Sequence, residues 1–210
     1  YALPKSIDRK NGIDLIVSSK GKNGSVGWLE IPKNARNVSS WKYHKLQDAG
    51  WIMSLISIDM NQDGRKDILI SDRRGPKRGV YWLEYPGPEA AIDPLQWKRH
   101  DIGGNNREIK FISHGDLDKD GRLDVIAIDK TSIVWFRSTE SEWKEHVIPL
   151  PDGVGGGKSA VTFDVNQDGK NDLVFSCESA KAPLSGTQWL SYRDTPFSQF
   201  WPNHEIAGKT

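Results

Sequence analysis

The sequence predicts an all-β protein built from four repeats of about 50 residues each. Three observations support this prediction. An acidic motif containing glycine occurs three times, each copy leads directly into a short apolar run, and a tryptophan-centred segment follows each copy. No stretch of useful length has the apolar spacing of an amphipathic helix. We therefore expect short strands joined by loops.

The clearest acidic motif runs from Asp116 to Asp124 and reads Asp-x-Asp-x-Asp-Gly-x-x-Asp; residues 59–67 and 164–172 repeat it with Asn at the third position. Side-chain oxygens at positions 1, 3, 5 and 9, with the backbone carbonyl at position 7, form a set of hard ligands suited to Ca²⁺. We predict up to three calcium sites. Their ligands are Asp59, Asn61, Asp63, Arg65, Asp67, Asp116, Asp118, Asp120, Arg122, Asp124, Asp164, Asn166, Asp168, Lys170 and Asp172.

The motif differs from an EF-hand, which requires a glutamate at position 12, where this chain has Ile70, Ala127 and Phe175. The ninth residue instead opens an apolar, β-rich run, so we predict that each loop joins two strands. The alternative is that Asp, Asn and Gly form turns without a metal, but three complete copies favour calcium. Residues 6–14 form an irregular copy, for which we predict no calcium or a weak site.

Eight of the nine tryptophans occupy repeated positions. Four centre the predicted middle strands, and four begin a Trp-x-x-His pattern in the predicted final strands. We expect the Trp and His of each final strand to face opposite sides and the apolar residue two beyond each His to be buried. Repetition of the histidines indicates packing or hydrogen bonding rather than a zinc site. The positions are Trp28, Trp82, Trp135 and Trp189, then Trp41 with His44, Trp97 with His100, Trp143 with His146, and Trp201 with His204.

These motifs resemble the FG-GAP or VCBS-type repeats of β-propellers, including the N-terminal propeller of integrin α chains. The resemblance implies a β-propeller of four-stranded antiparallel blades, with calcium loops between the first and second strands. We predict a single domain, residues 1–210, with approximate blades 1–50, 51–107, 108–156 and 157–210. Such propellers usually close with about seven blades. The four repeats therefore predict either a closed four-blade ring or part of a larger propeller, with further blades in the same or another chain.

Composition and motif content limit the classes of partner that the sequence predicts. The formal net charge is +1, no apolar run approaches the roughly 20 residues of a membrane span, and no nucleic-acid motif is present. The single cysteine, Cys177, cannot form an internal disulfide. Calcium sites of this type suit extracellular calcium levels, so we expect an extracellular or periplasmic protein.

If the acidic loops share one face, the remaining loops gather on the other, which is rich in Lys and Arg. Arginine forks bind carboxylate and sulfate groups, so acidic polysaccharide is an expected partner, with another protein as an alternative. The basic loops could also simply be solvated. Trp51, the one Trp outside the repeat, is expected to stack on a sugar or to begin a strand. The predicted ligand-binding residues are Trp51, Arg73, Arg74, Arg78 and Arg107.

The leading functional hypothesis is a secreted calcium-binding module for binding or adhesion, since the sequence contains no recognisable catalytic constellation. The rival is an enzyme, a carbon–oxygen lyase, because the repeat style also resembles certain polysaccharide lyases and aldos-2-ulose dehydratases. In that case His114 would be the base and Arg73, Arg74 or Arg107 would neutralise a uronate, although a structural histidine is the simpler interpretation. A third hypothesis is a structural propeller segment of a larger protein.

Overall fold

A computed structural model of the chain describes residues 1–181 and 186–206. Within these residues the regular structure is β-strand apart from two short 3₁₀ turns, Val38–Ser40 and Pro94–Gln96. The strands form four antiparallel sheets of four strands each, in which neighbours in sequence are neighbours in the sheet. This architecture confirms the predicted all-β class and is that of propeller blades.

The first sheet contains β1 (Ala2–Lys5), β2 (Asp14–Ser18), β3 (Ser25–Glu30) and β4 (Lys42–Asp48). The second contains β5 (Ile52–Ile58), β6 (Asp67–Asp72), β7 (Gly79–Leu83) and β8 (Arg99–Gly103). The third contains β9 (Ile112–Gly115), β10 (Asp124–Ile128), β11 (Ser132–Ser138) and β12 (Trp143–Pro149). The fourth contains β13 (Gly156–Phe163), β14 (Asp172–Glu178), β15 (Thr187–Leu190) and β16 (Asn203–Glu205).

The chain divides into two compact units, Tyr1–Glu108 with the first two sheets and Ile109–Thr210 with the last two. Each unit has its own hydrophobic core, in which Trp28 and Tyr81 are fully buried in the first and Trp135 in the second. Every residue of β6 and β10 is buried, which explains why these second strands read as continuous apolar runs. The proposed division of residues 1–210 into one domain of four blades stays a prediction.

None of the helical segments within residues 1–181 and 186–206 has the length and hydrophobicity needed to cross a membrane.

The acidic motifs lie between the first and second strand of a sheet, as predicted. We call residues 6–14 loop 1, 59–67 loop 2, 116–124 loop 3 and 164–172 loop 4. In every case the ninth-position aspartate is the first residue of the second strand. The loops are therefore positioned by the sheets that flank them.

The histidines of the Trp-x-x-His pattern, which we call the framework histidines, pack against the middle-strand tryptophans, and this confirms a packing role. Each His lies directly opposite its Trp in the strand register. The ring centroids are 4.0 to 4.8 Å apart, and the planes differ by 12° to 31°. Such aromatic pairs contribute about 0.5–1.5 kcal/mol beyond their burial. The pairs are Trp28 with His44, Trp82 with His100, Trp135 with His146, and Trp189 with His204.

The prediction for the Trp of each Trp-x-x-His pattern is wrong in three blades. Trp41, Trp97 and Trp201 precede the fourth strand, so strand alternation does not orient them. Their indole N–H groups instead donate to backbone carbonyls of the preceding loop, each at 3.0 Å. Only Trp143 lies within its strand among these four. These tryptophans therefore close the loop that leads into the fourth strand.

The predicted burial of the apolar residue two positions after each histidine is confirmed in two blades. Ile102 and Ile148 are buried and Leu46 is partly buried, but Ile206 is 48% exposed. Ile206 follows the end of β16, although its backbone N–H still donates to Thr187 O of β15 at 3.3 Å. The prediction of burial is therefore wrong for Ile206.

The ninth-position aspartates are buried and bonded to the backbone in all four sheets. One carboxylate oxygen accepts a hydrogen bond from the second residue of the loop, at 2.8 to 3.1 Å. In the first three sheets the other oxygen accepts from a residue at or after the end of the third strand, at 2.9 to 3.0 Å. Loop 1, which lacks the full ligand set, keeps this arrangement through Asp14. These aspartates therefore have a structural role that does not require a metal.

We predict that Asp14→Ala lowers the free energy of unfolding by about 3 kcal/mol, because the backbone N–H groups of Ile7, Asp8 and Ile31 lose a charged acceptor. The loss should be the same with and without chelator, since loop 1 is not a predicted calcium site. Urea denaturation followed by circular dichroism measures it. The control is Asp48→Ala in the same sheet, where the exposed carboxylate pairs with Lys45 and its loss should change little. A loss confined to calcium-containing buffer would contradict the structural role.

Candidate functional site: acidic loops and a basic cluster

The three predicted calcium loops share one backbone conformation. Their fourth residues, Gln62, Lys119 and Gln167, have φ between 57° and 62°, and their sixth-position glycines have φ between 82° and 86°. This left-handed region is unfavourable for most L-residues and easy for glycine. A Cβ on those glycines would meet no atom within 4 Å, so glycine is required for its backbone freedom rather than for space. The motif therefore encodes the turn itself.

Hydrogen bonds within each loop turn the carboxylates inward. The first-position aspartate accepts from the backbone N–H groups of the fifth and sixth residues, at 2.8 to 3.2 Å. The fifth-position aspartate accepts from the N–H of the seventh residue, at 2.8 to 3.0 Å. In loops 2 and 4 the third-position asparagine also accepts from the fifth residue. All three loops thus share the same pattern of hydrogen bonds between acidic side chains and the loop backbone.

Loop 3 has the densest arrangement of carboxylates. One oxygen from each of Asp116, Asp118 and Asp120 lies within 4.8 Å of the others. The Asp118 side chain is only 7% exposed, and its Oδ1 atom is buried without a hydrogen-bond partner in the described part of the chain. A buried carboxylate oxygen without a partner is costly. The residues therefore fit a hard divalent cation.

The ninth-position aspartates of loops 2, 3 and 4 are at most 1% exposed. Burial raises the pKa of Asp67 and Asp172, and it raises the pKa of Asp124 to about 6. Asp124 is not part of the group formed by Asp116, Asp118 and Asp120. Each of its oxygens already accepts one backbone N–H, although a carboxylate oxygen has room for a second partner.

Arg137 is a residue that the motif analysis missed. It lies on β11, where its guanidinium forms ion pairs with Asp118 and, at 2.6 Å, with Asp120. The corresponding residue, two beyond the middle-strand Trp, is Glu30, Glu84 or Ser191 in the other sheets. An alignment of the four repeats would have exposed this exception.

Loops 3 and 4 contact each other within the second unit. Asn171 of loop 4 donates from Nδ2 to the backbone oxygen of Asp116 at 2.6 Å, and the Lys119 ammonium donates to the oxygen of Gly169. These bonds couple the conformation of one loop to that of the other. The pKa of Asp168 in loop 4 is lowered, mainly because its carboxylate accepts the N–H of Lys170. The positive charge of Lys119 makes a smaller contribution in the same direction.

A second candidate site surrounds Trp51, which lies at the loop-to-strand junction before β5, as predicted. Asp72 fixes this junction by accepting the backbone N–H groups of Gly50 and Trp51 at 2.9 and 2.7 Å. Three cations then lie against the Trp51 ring, with Lys20 Nζ, Arg73 Cζ and Arg74 Cζ at 4.8, 5.1 and 4.9 Å from the ring centroid. We call Trp51, Lys20, Arg73, Arg74 and Glu108 the Trp51 cluster.

Glu108 is the carboxylate of the Trp51 cluster. Arg73 donates from Nε and Nη2 to Glu108 Oε2 at 3.0 and 2.7 Å, and Arg74 pairs with Oε1 at 3.2 Å. Hydrogen bonds from Arg73 and then Arg74 lower the pKa of Glu108. The cluster therefore binds a carboxylate within its own chain. The guanidinium groups beside the Trp51 ring offer chemistry for an anionic ligand, and stacking of Trp51 on a sugar stays a prediction.

Arg78 lies elsewhere, in a cleft of about 460 Å³. Its Nε donates to the backbone oxygen of Asn105 at 2.8 Å. Arg99, which sequence reasoning did not select, stacks on Tyr81 with Cζ 3.6 Å from the ring centroid and pairs with Asp101 at 2.6 Å. The cleft is lined by Pro76, Lys77, Arg78, Arg99, Asp101, Gly103 and Asn105.

The remaining candidates are dispersed. Arg107 is half-buried in the loop after β8, where its backbone N–H donates to Gly104 O at 3.1 Å. His114 lies on β9 in the second unit, whereas Arg73, Arg74 and Arg107 belong to the first. The His114 side chain is exposed, although partial desolvation lowers the pKa of its imidazole. Residues 1–181 and 186–206 provide it with no carboxylate hydrogen-bond partner, and its role as a base stays a prediction.

Comparison with known families found a match in the part of the chain that contains loops 3 and 4. Residues 116–175 match a family model described as an FG-GAP-like repeat. The matched segment begins at the first aspartate of loop 3, includes all of loop 4 and ends within β14. A search of curated proteins found no match. The chain therefore contains an FG-GAP-like repeat at residues 116–175, which confirms the predicted resemblance to FG-GAP-type repeat proteins.

Proposed function

We propose that this protein is a calcium-binding module of the propeller type. The observation that carries the proposal is the common architecture of loops 2, 3 and 4, in which backbone N–H groups of the loop bond the first- and fifth-position carboxylates. In loop 3 the carboxylates of Asp116, Asp118 and Asp120 come together, and Asp118 Oδ1 is buried without a partner within residues 1–181 and 186–206, so a cation would satisfy that atom. Oxygen ligands of this number and charge suit Ca²⁺.

The proposed ligands in each loop are the side chains at positions 1, 3, 5 and 9 and the backbone oxygen at position 7. Calcium would supply the positive charge that offsets repulsion among neighbouring carboxylates. Because loop 1 has Ser6 and Lys10 at the first and fifth positions, it lacks those ligands. Sites of this kind bind calcium at the concentrations found outside cells, so we place the protein in an extracellular or periplasmic setting.

We predict that calcium raises the melting temperature and that chelator reverses the rise. One site at a hundredfold excess over its dissociation constant adds about 2.7 kcal/mol, or roughly 5–10 °C for a chain of this size. Asp168→Asn should reduce this difference, because it removes one ligand charge from loop 4 while keeping an acceptor for the Lys170 N–H. Differential scanning calorimetry with calcium and with EDTA measures the effect.

The control for that experiment is Asp152→Asn, an exposed aspartate outside the acidic loops. It should keep the full calcium effect. Identical melting curves of the unaltered protein in calcium and in EDTA would refute the proposed calcium binding.

The Trp51 cluster favours a second activity, binding of acidic carbohydrate. Two arginines and a lysine converge on one ring, and only one carboxylate, Glu108, is paired with the arginines among the described contacts. Arg74 and Glu108 are 52% and 46% exposed, so a dissolved ligand can reach them. A uronate carboxylate or a sulfate group would compete with Glu108 for the two guanidinium groups.

We predict opposite effects for two substitutions in this cluster. Glu108→Gln should strengthen binding of dextran sulfate or polygalacturonate severalfold, because the neutral amide frees both arginines. Arg73→Gln with Arg74→Gln should weaken it on the order of tenfold, because charged hydrogen bonds are lost. Isothermal titration at fixed ionic strength measures the affinities, with neutral dextran as the ligand control. Equal affinities in all three proteins would contradict this site.

A further inference from the structure

The third sheet departs from its neighbours at one framework position. In the first two sheets the residue two beyond the middle-strand Trp is a glutamate that bonds the stacked histidine, Glu30 to His44 at 2.8 Å and Glu84 to His100 at 2.9 Å. In the fourth sheet Ser191 bonds His204 at 2.9 Å. The histidine in these sheets thus has an oxygen partner.

The third sheet has Arg137 at this position, and the histidine partnership is absent there. Guanidinium is a donor only. His146 Nε2 is buried without a hydrogen-bond partner among the residues described. Arg137 turns instead to loop 3, where it pairs with Asp118 and Asp120. With Arg in place of Glu or Ser, the third sheet lacks the hydrogen bond to its histidine, and loop 3 instead has a cation beside its carboxylates.

The same repeat has a second exception, whose negative charge is opposite to the positive charge of Arg137. Loop 3 has an aspartate at position 3, Asp118, whereas loops 2 and 4 have Asn61 and Asn166. The additional negative charge and the additional positive charge therefore occur together and contact each other. Arg137 is 23% exposed and also lies over the Phe197 ring, with Cζ 5.6 Å from its centroid, so its position is held from two sides.

We propose that Arg137 is an internal counter-cation that holds loop 3 together in the absence of calcium and weakens calcium binding there. This inference rests on the proposed function, calcium binding by the acidic loops. Asp118 Oδ2 and Asp120 Oδ2 are paired with the guanidinium, and Asp118 Oδ1 is buried without a partner within residues 1–181 and 186–206. A divalent cation entering loop 3 therefore meets a fixed positive charge within ion-pair distance of its ligands.

Two variants separate this role from ordinary stabilisation. Arg137→Ser introduces the residue that the fourth sheet has at this position and leaves two carboxylates, Asp118 and Asp120, without their cation. It should lower the melting temperature in EDTA and enlarge the rise caused by calcium. Adding Asp118→Asn recreates the residue pair of the fourth repeat, Asn166 with Ser191, and should restore stability in EDTA.

Calcium affinity provides the direct measurement. In a full-length background carrying Asp63→Asn and Asp168→Asn, which weakens loops 2 and 4, Arg137→Ser should tighten calcium binding by a factor on the order of five to ten, as expected for removing one nearby like charge. The matched control is Lys144→Ser on β12, the neighbouring strand of the same sheet. It removes the same charge from a side chain that pairs with Glu142, 3.5 Å away, rather than with the aspartates, and should change affinity much less.

The outcomes distinguish the two proposals. If calcium stabilises the unaltered protein but Arg137→Ser behaves like Lys144→Ser, the counter-cation role is wrong and calcium binding stands. If Arg137→Ser weakens calcium binding, the arginine positions the ligands instead, and the proposal is also overturned. If neither the unaltered protein nor any variant responds to calcium, calcium binding itself fails, together with the inference built on it.

Discussion

The structure depends on one buried carboxylate in each sheet, the aspartate that opens the second strand. An ionised carboxylate is costly to remove from water unless the protein provides donors. Here the donors come from the loop before it and, in the first three sheets, from the end of the third strand. The loop turn and the strand pairing therefore have to form together, so an irregular acidic loop can hold a defined shape on a strand end.

Much of the fold follows from local sequence, and for that reason it could be predicted. The acidic motif specifies a turn whose sixth residue needs a positive φ, and the apolar runs that follow it specify buried strands. Four copies of the middle-strand Trp indicate four repeats. The error over Trp41, Trp97 and Trp201 arose because alternation applies only within a strand, and these residues precede one. Short-range spacing does not locate the exact residue at which pairing begins.

The candidate sites were predictable to different degrees. The side chains of each acidic loop are close in sequence, so their convergence follows from the motif. The Trp51 cluster joins residues 20, 51, 73, 74 and 108, and only the tertiary structure reveals that Glu108 pairs with the two arginines. Arg137 is separated from Asp118 by a whole hairpin. Its importance is visible only when the four repeats are compared at the same position, because a lone arginine on a strand carries no signal.

The order of strands within each sheet has a consequence for how the chain folds. Each strand pairs with strands adjacent to it in sequence, so the loops closed by pairing are short and their entropic cost is small. Topologies with such local contacts fold faster than those that need distant segments to meet first. Each sheet can therefore assemble from its own segment of about 50 residues as that segment leaves the ribosome. The growing chain then exposes few unpaired strands to other molecules while the rest is being made.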